Sequence, residues 1–162
     1  MTALHYKFPC EAETAAGVQH PQPPAPAAAH FIRRPTPFPA LYRWHAAAIS
    51  GEAPEITDAP QCGWFKRRLV KNGPWVPARI WLDQPTDGDG ELTGDETLRC
   101  EVNGREADPQ EQWTWLAANP VSKAEYRFIS ATINWATQYA PGEPMANPTR
   151  PVDWAAIPTP RF

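Results

Sequence analysis

The sequence predicts a small α+β domain, with an antiparallel sheet packed against a C-terminal helix and proline-rich arms on either side. Three observations carry this reading. Residues 63–82 alternate apolar and polar side chains around an Asn72-Gly73 turn signal, the mark of a β-hairpin. Ser122-Lys123-Ala124-Glu125 is a capping box that opens an apolar pattern of helical period. The chain has 21 prolines in 162 residues, well above the usual ~5%. They cluster in 9–60 and 141–160, which divides the chain into a Pro/Ala-rich arm (1–60), a core domain (61–140) and a Pro-rich tail (141–162). A core of roughly 80 residues is marginal by itself. Eight tryptophans offset that weakness, because each buries a large apolar area.

The elements follow in order. Residues 1–30, with HPQPPAPAAAH at 20–30, read as a polyproline-type arm. Residues 39–49 predict a short helix with Pro39 in its first turn and Gly51 just past its end. Leu41, Trp44 and Ala48 share one face of it, suited to docking the arm on the core. The hairpin is expected to pair Val70 with Trp75, Leu69 with Val76, Arg67 with Ala78, Phe65 with Ile80 and Trp64 with Trp81. Its loop is expected to run from Lys71 to Pro74, since Pro74 lacks the N–H that a two-residue turn needs. Alternation then puts Phe65, Leu69, Val76, Ala78 and Ile80 on a core face, with Arg67 among them. The opposite face holds Trp64, Lys66, Arg68, Val70, Trp75, Pro77, Arg79 and Trp81.

Leu98–Asn103 alternates again and predicts a third strand, ended by Asn103-Gly104. Asp108-Pro109-Gln110-Glu111 opens a short helix that stops near Asn119-Pro120. The capping box then starts a longer helix, with Val121 and Tyr126 as its hydrophobic staple. That helix runs to about Ala140 with Tyr126, Ile129, Ile133, Ala136 and Ala140 inward. Phe128, Trp135 and Tyr139 form an adjacent second stripe. In the tail, Trp154 and Phe162 are candidate anchors.

Charge is unevenly spread on a chain of net charge -3. Residues 62–82 carry five bases (Lys66, Arg67, Arg68, Lys71, Arg79) and no acid, whereas 83–96 carry six acids and no base. The two stretches either screen each other or leave a local basic face that attracts a polyanion. The acidic loop nearly matches a calcium loop, with Asp87, Asp89 and Glu96 at positions three, five and twelve. Position one, normally an acid, is Pro85, so a solvated Gly-rich loop is expected instead. Three widely spaced cysteines (Cys10, Cys62, Cys100) suggest neither zinc ligation nor a disulfide framework, and fit a reducing compartment. The sequence shows neither a signal-peptide pattern nor an apolar run long enough to span a membrane.

Catalysis has little support. His5, His20, His30 and His45 all fall in the arm, and no phosphate loop or nucleophile motif occurs. The candidate contacts are Trp64, Lys66, Arg68, Trp75, Arg79 and Trp81. Tryptophan and arginine are enriched at protein-interface hot spots. The same face could also stack bases and meet phosphates, or be covered by helix 122–140 or by the arm.

The stretch F-K-R-R-L-V-K-N-G-P-W-V-P-A-R-I-W at 65–81, P-V-S-K-A-E-Y-R-F at 120–128 and N-P-T-R-P-V-D at 147–153 resemble a family of small uncharacterised proteins of tailed bacteriophages and prophages. The resemblance spans about 62–153 and implies an accessory protein acting in the bacterial host cytoplasm. It transfers no functional residue. The expectation is a non-enzymatic module without cofactors that binds a host or phage protein. Single-stranded nucleic-acid binding comes second and a structural role in the virion third.

Overall fold

The fold is built on the hairpin. In the computed structural model, residues 32–52, 54–55 and 57–153 are described. The polyproline reading of 1–30, together with His5, His20, His30, Cys10, Trp154 and Phe162, lies outside the described residues. Strands β1 (Gly63–Arg68), β2 (Trp75–Asp83), β3 (Thr97–Val102) and β4 (Arg105–Ala107) form an antiparallel meander in the order β1-β2-β3-β4. Helices α1 (Phe38–Leu41) and α2 (Arg43–Ser50) precede the sheet, and α3 (Pro109–Leu116) and α4 (Lys123–Tyr139) follow it. The fold is therefore α+β, with the hairpin forming one side of the sheet and α4 close to the predicted span.

The hairpin register differs from the expected one. Phe65 pairs with Ala78, Arg67 with Val76 and Arg68 with Trp75, a slip of two residues. Leu69 to Pro74 form a longer loop, because the Val70 carbonyl accepts the Gly73 N–H at 3.0 Å and Pro74 has no hydrogen to give the ladder. An even slip leaves each side chain on its expected face. The second Asn-Gly signal does what the first does not. Asn103 (φ 50°) and Gly104 (φ 74°) both adopt left-handed backbone in a two-residue turn that joins β3 to β4. The expected end of the third strand is thus a second hairpin, which adds a fourth strand to the sheet.

Phe65, Val76, Ala78, Ile80, Cys100 and Val102 form the buried core with Trp113 and Leu116 of α3. Trp44 of α2 meets Trp113 edge-on at 5.0 Å, so the face expected to dock the helix does so. His45, expected in an arm outside the core, is instead among the most buried side chains, at 2% exposure. Its Nε2 lies 2.9 Å from the carbonyls of both Trp64 and Val121. Carbonyls only accept, so Nε2 carries the hydrogen. The outer edge of β1 is closed by 119–121: Lys66 N–H is donated to Asn119 and Val121 N–H to Trp64.

Helix α4 crosses the opposite face. Ser122 caps it by accepting the Glu125 N–H at 3.1 Å, the serine half of the capping box, while the Glu125 carboxylate pairs with Lys66. Ile129, Ile133 and Ala136 are buried, while Tyr126 is half-buried. Among the described residues no helix is long and apolar enough to cross a membrane.

Candidate binding surfaces

The six predicted contact residues come together on one face, and the chain itself covers much of that face around Trp64, Lys66 and Arg79. Trp64 stacks on Tyr42 at 4.7 Å, lies near Phe38, and has the Lys123 ammonium 5.2 Å over its ring. Trp75 lies under Lys66 at 5.3 Å and Arg68 at 4.7 Å, and Trp81 under Arg79 at 4.5 Å. Lys66 also pairs with Glu125 at 2.7 Å, and Arg79 with Glu101 at 2.8 Å. These two ion pairs fix α4 and β3 against the hairpin. The Glu101 bond holds the Arg79 guanidinium firmly charged. The three tryptophans are half-buried, and each has a cation stacked on it. Such pairs bring modest local stability. Lys66 and Arg79 are also engaged by acids of the chain itself, whereas Arg68 is exposed and has no carboxylate partner among the described residues.

The acidic loop is tied to the preceding segment, away from the hairpin tip. Leu92 N–H is donated to the Arg33 carbonyl at 2.8 Å, and Arg33 pairs with Asp95 at 3.5 Å. Asp87 accepts the N–H groups of Asp89 and Glu91. Glu96 accepts from the Gln84 amide and from Thr36 N–H, bonds that lower its pKa. The Asp87 and Glu96 carboxylates are therefore engaged in separate local bonds, and Asp89 is tied to Asp87 only through its N–H. Among the described residues no cluster of acidic, histidine or cysteine side chains is placed to hold a metal. β2 is nine residues long, which puts roughly 27 Å between this loop and the hairpin tip. That is well beyond the ~8–10 Å over which exposed charges act in physiological salt, so the loop does not screen the tip.

Among the described residues, two further surfaces bear on binding. The first is the outer side of α4, where Phe128 is 70% exposed, Trp135 55% and Tyr139 67%. No residue from Phe128 to Tyr139 is charged. The expected second stripe of the helix is thus turned to solvent. The second surface is a cleft of about 530 Å³ at the hairpin tip. Arg67, Arg68, Leu69, Lys71, Trp75 and Trp115 are among its lining residues. Trp115 is 61% exposed and was not singled out by the sequence reading. The available signal was the i, i+3 spacing of Trp113 and Leu116, which turns Trp115 outward.

The described cysteines are poor nucleophiles. Burial pushes the Cys62 thiol up, and pushes Cys100 up to about 11. Comparisons of the chain with protein-family models, curated proteins and solved structures give no match.

Proposed function

We propose that this chain is a non-catalytic interaction module that binds a protein partner through the outer face of α4. The observation that carries this reading is the uncharged stripe of Phe128, Trp135 and Tyr139 on an exposed helix. Solvent-facing helix surfaces normally carry charge. Charge depletion with aromatic enrichment is the compositional mark of an interface core. From Phe128 to Tyr139 the helix rises about 16 Å, the length of roughly three turns of a partner helix. Arg127, one residue before the stripe, is exposed and has no carboxylate partner among the described residues. The partner surface is accordingly an amphipathic helix, apolar along one side, with an acid placed to meet Arg127.

The engaged state of His45 and the raised thiols of Cys62 and Cys100 support a role without chemistry. The resemblance of 62–153 to small proteins of tailed bacteriophages and prophages supports a host or phage protein as the partner, in the cytoplasm of the bacterial host. The test is a photo-reactive amino acid in place of Ala131, amid the stripe. The expected result is a cross-link to one partner, mapped to an amphipathic helix and lost in the Trp135→Ala background. Cross-links only to a second copy of the chain, or to no protein, overturn the reading.

A further inference from the structure

We infer that the cleft at the hairpin tip is a site for single-stranded nucleic acid, with a base stacked on Trp115 and phosphates on Arg67, Arg68 and Lys71. This rests on a different surface from α4 and is independent of it.

The first observation is electrostatic. Elsewhere on the sheet Lys66, Arg79 and Arg99 are each ion-paired, to Glu125, Glu101 and Glu106. Arg67, Arg68 and Lys71 have no carboxylate partner among the described residues, and no acid lines the cleft. Arg67 bonds Gln112 through one terminal nitrogen, while its Nε is buried with no partner. Three cations side by side, none with a carboxylate partner among the described residues, favour an anion.

The second observation selects the kind of anion. Arg68 lies 4.7 Å over Trp75 and Arg67 lies 5.8 Å from Trp115. The cations are thus held beside aromatic planes rather than spread over a flat surface. The exposed ring of Trp115 offers a flat apolar surface of the size of a base. Bases stack on such rings without sequence preference while cations track the backbone. An acidic polypeptide would satisfy the charges but leave Trp115 unused. The cleft volume of about 530 Å³ is in the range of small-ligand sites, enough for one or two nucleotides in contact.

The experiment titrates the full chain with a labelled oligothymidine of about 15 nucleotides, the upper site size of a single-strand-binding fold, read by fluorescence anisotropy. Binding is expected at low salt, with a slope of log affinity against log salt near -2, from three phosphate contacts at about 0.7 each. Trp115→Ala should weaken binding by about 5- to 150-fold, the loss expected for one stacked base. Lys71→Glu should also weaken binding and flatten the slope. Both sites are exposed, so both variants should remain folded, and Arg99→Ala at the far end of the sheet should change nothing. No anisotropy change at low salt overturns the assignment. Equal competition by polyglutamate with no effect of Trp115→Ala also overturns it, in favour of an acidic protein segment.

Discussion

The Nε2–H of His45 is shared between two main-chain carbonyls, and the one belonging to Trp64 lies 2.9 Å away. Through this bond α2 is tied to β1, and through Val121 to the segment that closes the β1 edge. One side chain thus joins three parts of the chain in the interior. His45→Phe keeps a ring but removes the donor, leaving the Val121 carbonyl short of its side-chain partner. The expected cost is about 1–3 kcal/mol, the usual penalty of a buried unsatisfied polar group. Chemical denaturation of the two proteins measures it.

Gly63 exists to make room for that histidine. A Cβ at Gly63 would sit 2.6 Å from His45 Cδ2 and 2.8 Å from Phe65 Cζ. Gly63→Ala should therefore overpack the core and cost about 1–3 kcal/mol. Gly88, on an open loop, has nothing within 4 Å of an added Cβ. Gly88→Ala is the matched control and should stay within about 0.5 kcal/mol of the parent protein.

Cys100 gives the fold an alkaline sensitivity. Its folded pKa is raised from 9.0 to about 11 by burial. Between those values the unfolded chain loses the thiol proton while the folded chain keeps it. Stability contributed by the neutral thiol is fully present below pH 9 and is lost as pH rises toward 11. Cys62, Tyr42 and Tyr126 are shifted the same way by burial. Unfolding free energy measured from pH 8 to 11 should fall, and Cys100→Ala should make the fall shallower. At pH 8 a thiol reagent should label Cys62 and Cys100 only after denaturant is added.

Asp108 tests the second helix start. Its carboxylate accepts the N–H groups of Gln110 and Glu111 at 2.8 and 3.0 Å. Asp108→Ala should cost about 1 kcal/mol through loss of the cap, with no effect on oligothymidine binding.

Much of the architecture was legible in the residues, for local physical reasons. The capping box, Pro109 and the alternation of 63–82 each act within a few positions, so the helix starts and the two strand faces could be read directly. The hairpin register could not, because it depends on a six-residue loop in which Val70 and Gly73 bond to each other. The role of His45 was hidden for a similar reason. Both of its partners are main-chain carbonyls, 19 and 76 residues away, and no residue pattern marks them. Trp64, Lys66, Arg68, Trp75, Arg79 and Trp81 share one face because strand side chains alternate. Its occupants, Tyr42, Lys123, Glu125 and Glu101, come from elsewhere in the chain, so its coverage could not be seen. Phe128, Trp135 and Tyr139 were visible as a stripe, but only the placement of α4 turned them outward.

The central claim is that the tryptophans of the hairpin face build the fold, whereas the tryptophan of α4 is left for a partner. Urea unfolding of Trp64→Ala and Trp135→Ala tests it in one comparison. Trp64 stacks on Tyr42 and has Lys123 over its ring, and its loss should cost about 2–3 kcal/mol, below the range for a fully buried aromatic. Loss of the exposed Trp135 should change stability by no more than about 0.5 kcal/mol. Equal costs, or a larger cost for Trp135→Ala, would contradict the account.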